Sequence, residues 1–312
     1  MLLSTLFLCS EYTITQIGDF VKLTKYEGNV KLKIDRVHKA LVCIEFSRFY
    51  RKKGLRQRGG ICYYEQKRPV YKLRAHGKER SDVRICGLQK LAMVDYPGKL
   101  AATVFTGGCN LRCPFCHNAL LVTRLDESPS LSGEEVLAFL ATRRGLLDGV
   151  VLSGGEPLLQ PGAADFLEKV RAMEFAIKVD TNGCYPSALR DILARGLADY
   201  VAMDIKNSPA RYGETAGVPA FDLKPVEESI RLLRESGVEH EFRTTLVREL
   251  HTEADIRAIG RWLAGEKRYV LQNFVDSGNL IAGGFHGFTP EELQRFAEIA
   301  SPFFETVSIR GM

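Results

Sequence analysis

From residue 101 onward, short β-rich runs alternate with amphipathic helical segments, and this alternation is the strongest constraint on the fold. The runs carry apolar residues on both faces, as Gly149-Val-Val-Leu-Ser153 does. Strands buried on both faces and separated by helices are typical of a parallel sheet covered by helices. The predicted strands are residues 101–105, 149–153, 176–181, 200–205, 241–247, 269–274 and 306–309, and the predicted helices are residues 133–142, 164–173, 187–195, 225–236, 252–263 and 289–300.

The number of strand–helix units limits the architecture further. Six units are too few for a closed eight-fold barrel, so we predict an α/β fold, either an open partial (β/α)6 barrel or a doubly wound sheet. Ser132 and Glu135 form a capping-box pattern at the start of the first predicted helix. In either fold, ligands bind in the loops that follow the carboxyl ends of the strands.

Residues 1–82 differ in character and form a basic extension of uncertain structure. They hold 18 Lys and Arg against 8 Asp and Glu, a net charge of +10, whereas the remainder carries a net charge of −5. The basic residues crowd together in residues 46–60, and we find no sustained period of 2 or 3.6. This segment is interpreted as a nucleic-acid arm, as a small accessory domain, or as an upstream reading-frame extension that is not a folded part of the protein. We favour the last, because Val83 looks like a natural start.

The lack of a recognisable targeting signal and the pattern of cysteine usage both predict a cytoplasmic location. No segment approaches the roughly 20 apolar residues that span a bilayer, and the apolar run at residues 2–9 lacks a basic flank and a cleavage site. Of eight cysteines, five are scattered and three fall within eight residues. In a reducing compartment such clustering points to metal or redox chemistry.

The clustered cysteines have the spacing Cys-x3-Cys-x2-Cys, at Cys109, Cys113 and Cys116, directly after the first strand of the alternation. Four other interpretations remain open: a c-type haem attachment sequence ending at His117, a thioredoxin-like pair, a zinc site that includes His117, and coincidence. A c-type haem is attached outside the cytosol, and no export signal is present. A thioredoxin-like pair would leave Cys109 without a role, and no second cysteine pair follows that could complete a zinc site. A [4Fe–4S] cluster normally takes four thiolates, so three from one loop leave one iron open to a ligand.

This spacing, with Phe115 before the last cysteine, resembles the signature of the radical S-adenosylmethionine superfamily. The resemblance implies that Cys109, Cys113 and Cys116 bind the cluster and form the catalytic centre. It also implies that S-adenosylmethionine chelates the fourth iron through its amino and carboxylate groups, with Phe115 against the adenine. His117 joins Phe115 as a cofactor-binding candidate.

Polar residues end the following three strands, where a parallel sheet presents its ligands. By resemblance to the superfamily, Gly154, Gly155 and Glu156 bind the methionine amino group. Isolated Asp and Lys are more often caps or surface charges, but three consecutive strand ends favour a site. The further candidates are Asp180, Thr181 and Asp204 for the amino group or a monovalent cation, Lys206 for a carboxylate, Arg243 for a ribose, a carboxylate or an ordinary salt bridge, and Asn182.

Within the superfamily, the segment from Ile85 to Lys99 and the Cys116-His-Asn118 sequence resemble the activating proteins of anaerobic ribonucleoside-triphosphate reductase. The resemblance covers residues 83–312. It implies cleavage of S-adenosylmethionine to a 5′-deoxyadenosyl radical that generates a glycyl radical on that reductase or on another glycyl radical protein. The electron would come from a flavodoxin- or ferredoxin-type donor. The alternatives are a radical enzyme acting on a pterin or deazapurine precursor and a non-enzymatic metal- or nucleic-acid-binding protein.

Overall fold

The computed structural model describes residues 83–311 and, within residues 1–82, only six strands. The chain divides into two compact units, Met1–Gly77 and Lys78–Met312. The first unit contains β1 (Ser4–Phe7), β2 (Tyr12–Ile17), β3 (Phe20–Lys25), β4 (Lys31–Asp35), β5 (Arg56–Arg58) and β6 (Ile61–Tyr63), in the sheet order β1-β2-β3-β4-β6-β5. All neighbours are antiparallel except β4 and β6.

These six strands were not predicted from the sequence. Strands of three to six residues give too few alternations to stand out as a sustained period. The basic stretch at residues 46–60 lies mostly outside the described residues, so its interpretation as a nucleic-acid arm is untested. That residues 1–82 are an upstream extension also stays a prediction.

The second unit contains an eight-stranded sheet whose strand order follows the chain, so that β7 and β14 are its edges. β7 pairs antiparallel with β8, and every later pair is parallel. The predicted α/β fold and its seven strands are confirmed, whereas β7 precedes the alternation and was missed. The strands are β7 (Ile85–Ala92), β8 (Ala101–Thr106), β9 (Gly149–Gly154), β10 (Ala176–Thr181), β11 (Tyr200–Asp204), β12 (Glu239–Leu246), β13 (Arg268–Asn273) and β14 (Thr306–Arg310).

The helices between these strands agree with the prediction to within two residues at each end. The helices of this unit are α1 (Ala119–Thr123), α2 (Gly133–Ala141), α3 (Ala163–Arg171), α4 (Pro186–Ala194), α5 (Tyr212–Ala216), α6 (Lys224–Ser236), α7 (Glu253–Trp262) and α8 (Pro290–Ala300). The capping box at Ser132 and Glu135 is present. The five-residue helices α1 and α5 are too short to show a helical period. Among the described residues, no helix is long and apolar enough to cross a membrane.

The two faces of the sheet pack against different groups. One face packs in the main core, and the other, here called the inner face, has room for a site at one end. Val150 and Leu152 belong to the main core, whereas Val151 between them packs with Tyr96, Ala101 and Tyr200. Tyr96 comes from the turn before β8, and its ring lies 6.1 Å from that of Tyr200. Aromatic side chains therefore fill the inner face near the amino ends of the strands, and the opposite end carries the polar residues.

We expect a chain that begins at Val83 to fold as the full chain does, because Lys78–Met312 is a compact unit by itself and its described residues form a hydrophobic core. Its melting temperature should lie within about 2–4 °C of the full-length value, the shift that about 1 kcal/mol produces in a domain of this size. Circular dichroism and thermal unfolding of the two chains check this. An insoluble or unfolded shorter chain would contradict it.

Candidate active site at the carboxyl ends of the strands

A cavity of about 230 Å³ lies at the carboxyl ends of β8 to β13. All fourteen predicted site residues line it, from the three cysteines to Arg243. The register supports this arrangement, since Asp204 of β11 pairs with Arg243 of β12. The lining residues that were not predicted are Leu111, Asn118, Val122, Ser153, Pro157, Thr245 and Gln272.

The cysteine loop is fixed to its surroundings by backbone hydrogen bonds. The amide of Gly107 donates to the carbonyl of Arg84 at 3.0 Å, and the amide of Gly108 donates to Leu121 of α1 at 2.8 Å. On the other side, Arg112 donates to the carbonyl of Ala216 in α5 at 2.9 Å. The loop that carries the three thiols is therefore held from both sides before any ligand binds.

Two glycines allow the end of β9 to approach this loop. The amide of Gly155 donates to Thr106 at 2.9 Å, and the amide of Glu156 donates to Gly108 at 2.8 Å. A Cβ atom on Gly155 would lie 2.1 Å from the Gly108 carbonyl oxygen, and Gly154 has φ +119°. Only glycine fits this contact, since a side chain would force the strand end away from the cysteines.

The three thiols lie beside a lysine, with Cys113 buried and Cys109 and Cys116 partly buried. Burial raises the pKa of Cys109 to about 11 and that of Cys113 to about 12, and it also raises the pKa of Cys116. The Lys206 ammonium opposes this effect on the pKa of each of them. Without metal the thiols are neutral at pH 7, so metal binding must release their protons.

This donor set fits an iron–sulfur cluster better than a single zinc ion. In the part of the chain that the structure describes, no group of three or more His, Cys, Asp or Glu could hold one metal ion. The zinc interpretation needed the three cysteines and His117 as one such group, so the geometry does not support it. In a cluster each thiolate binds a different iron, so the three sulfurs need only surround it.

Aromatic rings form one wall of the cavity. The ring of Phe115 contacts Phe274 edge-on at 6.4 Å and Phe285 at 6.5 Å. His117 stacks on Phe274. In the part of the chain that the structure describes, Nε2 of His117 is buried without a hydrogen-bond partner. A buried ring nitrogen that lacks a partner and borders a cavity is suited to a polar atom of a ligand.

A chain of alternating charges crosses β10, β11 and β12 beside the thiols. Lys178 Nζ lies 2.5 Å from Asp180, and Arg243 lies 3.7 Å from Asp180 and 2.6 Å from Asp204. Lys206 completes the chain at 3.0 Å from Asp204. Burial alone would raise the pKa of Asp204, but Arg243 and Lys206 hold it well below its usual range. Three cations share two carboxylates, so the group has one surplus positive charge.

This pairing bears on two predictions. Arg243 forms a salt bridge with Asp204, the ordinary role that the sequence analysis also considered. The carboxylates of Asp180 and Asp204 are paired with protein cations, so a monovalent cation would have to compete with them. That cation stays a prediction.

Glu156 is 1% exposed and ties the cavity wall to the end of β10. Its carboxylate accepts hydrogen bonds from the Thr181 hydroxyl at 2.8 Å, the Asn182 amide at 2.7 Å and the Leu158 amide at 3.0 Å. Burial raises the pKa of Glu156 to about 7, although these donors oppose the effect. The side chain thus braces the site as well as lining it, and its proposed contact with a methionine amino group stays a prediction.

Thr245 and Gln272, which were not predicted as site residues, are paired in register on β12 and β13. Both line the cavity. Among the described residues, neither side chain has a hydrogen-bond partner. The rule that ligands lie at strand ends, applied to the fifth and sixth strands as well, would have found them.

The raised pKa of Glu156 predicts a pH-dependent stability. Because the folded-state pKa of about 7 exceeds the ordinary 4.5, the native state binds a proton that the unfolded chain has released between these values. Stability should therefore fall as the pH rises through this window, by about 2 to 3 kcal/mol relative to Glu156→Gln. Urea unfolding of the metal-free proteins from pH 5 to 8 checks this.

The variant also changes hydrogen bonds, but that offset is independent of pH and cancels in the slope. The exposed Glu134 provides the control, since Glu134→Gln should leave the pH profile unchanged. Parallel profiles for wild type and Glu156→Gln would show the prediction to be wrong.

Comparison with known proteins agrees with this geometry. A model of the radical SAM superfamily matches residues 103–263. A candidate glycyl-radical enzyme activating enzyme from Methanocaldococcus jannaschii is 31% identical over 235 residues, which cover 72% of this chain and 95% of that protein.

Shorter similarities extend to enzymes with different names. A pyruvate formate-lyase-activating enzyme from Clostridium pasteurianum is 34% identical over 129 residues, 40% of this chain and 52% of that protein. A 7-carboxy-7-deazaguanine synthase from Hyperthermus butylicus is 35% identical over 97 residues, 31% of this chain and 40% of that protein.

Solved structures agree on the fold. Streptococcus suis SuiB bound to S-adenosylmethionine superposes with a TM-score of 0.54 at 15% identity, over 65% of this chain and 48% of that one. About half of this chain matches the model of the superfamily. Nearly the whole length of the Methanocaldococcus jannaschii relative aligns with this chain. The chain therefore belongs to the radical SAM superfamily, whose members use a [4Fe–4S] cluster and S-adenosylmethionine.

Proposed function

We propose that the protein is a glycyl-radical enzyme activating enzyme whose partner is an anaerobic ribonucleoside-triphosphate reductase. The observation that carries the proposal is the pattern of polar groups in the cavity. Its described cations, Lys206 and Arg243, are paired with Asp204, whereas the uncharged side chains of Thr245 and Gln272 have no hydrogen-bond partner within residues 83–311. Such a cavity matches an uncharged peptide segment.

The cofactors take the part of the cavity nearest the cysteine loop. Cys109, Cys113 and Cys116 would hold the cluster, which when bound supplies one electron to cleave S-adenosylmethionine. The surplus positive charge of the network that includes Lys206 suits the carboxylate of S-adenosylmethionine. The aromatic wall with Phe115 suits its adenine ring.

The remaining polar groups favour a peptide as substrate. A glycine within a polypeptide carries no charge but has backbone donors and acceptors. The Gln272 carboxamide can both donate and accept, and so can the Thr245 hydroxyl. A small molecule with its own carboxylate would need a further surplus positive charge, and the single surplus charge of this network is already matched to S-adenosylmethionine.

The open sheet supports access by a large partner. Gln272 of β13 pairs in register with Arg310 of β14, the edge strand. Only one strand therefore separates the free carboxamide from the edge of the sheet. An unclosed barrel lets a protein segment reach the cavity from this side, and the electron would come from a flavodoxin- or ferredoxin-type protein.

A second candidate is a radical enzyme acting on a deazapurine precursor. The similarity to a 7-carboxy-7-deazaguanine synthase favours it, but covers 31% of the chain against 72% for the activating enzyme. This candidate predicts that 5′-deoxyadenosine forms only when the small substrate is added, with no partner protein.

The decisive experiment combines reduced, cluster-loaded protein with S-adenosylmethionine and a candidate anaerobic reductase. We expect a glycyl radical doublet in the electron paramagnetic resonance spectrum. Cleavage of S-adenosylmethionine without any doublet would reject the activating function while leaving the superfamily assignment intact.

We further expect Gln272→Leu to lower the rate of glycyl radical formation about tenfold, the effect of losing one hydrogen bond of about 1.4 kcal/mol. Binding of S-adenosylmethionine, measured by calorimetry, should change less than twofold, because the side chain lies on the substrate side. Gln89→Leu on β7 removes a carboxamide that, among the described residues, donates only to the Leu91 carbonyl, and it should change neither quantity. An equal loss in both variants would contradict the assignment.

A further inference from the structure

The three cluster cysteines differ in the hydrogen bonds that their sulfurs receive. The Cys109 sulfur accepts the backbone N–H of Leu111 at 3.4 Å, and Cys116 lies beside the amide of Asn118. Cys109 also has a side-chain donor, since Nδ2 of Asn182 lies 3.7 Å from its sulfur. Within residues 83–311, no other side chain donates to one of these three sulfurs.

The orientation of the Asn182 carboxamide is set by its other partners. Its Oδ1 accepts the backbone N–H of Cys184 at 2.9 Å, which directs Nδ2 to the opposite side. One Nδ2 hydrogen is donated to Oδ1 of Asn110 at 2.9 Å, leaving the second for the sulfur.

The position of Asn182 is as firmly fixed as its orientation. Its backbone N–H is donated to Glu156 at 2.7 Å, and the residue is 4% exposed. The donor is thus held in place from β10, an element separate from the cysteine loop.

We propose that Asn182 is a positioning residue that raises the reduction potential of the cluster through its N–H···S hydrogen bond to Cys109. One-electron reduction by an external donor breaks no bond and adds one negative charge, which the cluster irons and sulfurs share. A donor directed at a ligand sulfur stabilises the more negative state more strongly. Burial increases this difference, because little solvent screens the contact.

The proposal rests on the superfamily assignment and is independent of the partner protein. Asn182 was a candidate for cofactor binding from its place beside Thr181. The geometry instead directs its amide at the ligand sulfur, where it influences the ease of reduction rather than the affinity for S-adenosylmethionine.

The test is a redox titration of Asn182→Ser followed by electron paramagnetic resonance. Serine keeps an oxygen that can accept the Cys184 N–H, but its side chain is too short to reach the sulfur. We expect the equilibrium constant for one-electron reduction to fall about tenfold, which equals a potential about 59 mV lower. Iron and sulfide content and the affinity for S-adenosylmethionine should stay within twofold of wild type.

Gln160→Ser is the matched control. Gln160 braces the same loop by donating to the Gly107 carbonyl at 2.7 Å, without a contact to a sulfur. This variant should change the reduction constant less than twofold. An equal shift in both variants would mean that loosening of the loop is the cause and would overturn the proposal, as would an unchanged potential in Asn182→Ser.

Asn182→Asp keeps the shape and the acceptor but replaces the donor by a carboxylate oxygen, and both the lost hydrogen bond and the added negative charge should lower the potential in the same direction. It replaces the serine variant if that protein does not load a cluster. If neither Asn182 variant loads while Gln160→Ser does, Asn182 is required for assembly of the site, and the proposed tuning role is rejected.

Discussion

The contact on which this site depends is the backbone approach between the end of β9 and the cysteine loop. Two hydrogen bonds, from Gly155 to Thr106 and from Glu156 to Gly108, hold these segments together. The contact is possible because Gly155 has no side chain. It places the thiols of one strand end beside the polar groups of the next two, and thereby creates one cavity from separate loops.

The largely buried charges beside this contact are better explained by function than by stability. Taking ions out of water is costly, and a buried ion pair often adds no net stability. Here Lys178, Asp180, Arg243, Asp204 and Lys206 form one connected group with a surplus positive charge. Lys206 is the member of this group that acts on all three thiols, and the surplus charge suits an anionic cofactor group. Glu156 is a further acidic group at this contact, and burial raises its pKa to about 7.

Much of the fold and site could be predicted because the relevant signals are local. The strand and helix periods of residues 101–309 and the cap at Ser132 each lie within a short window. The predictions missed β7, which precedes the alternation, and α1 and α5, which are too short to show a period. They also missed Thr245 and Gln272, because these residues belong to no motif and become site residues only through the position of their strands.

The sequence by itself determined the parallel strand–helix order and the spacing of the three cysteines, since both depend on neighbours along the chain. Only the tertiary structure decided which groups pair across strands. Arg243 lies 39 residues from Asp204, and the amide of Asn182 meets the sulfur of Cys109 from 73 residues away. Such contacts depend on register and on side-chain direction across the sheet, and a linear pattern contains neither.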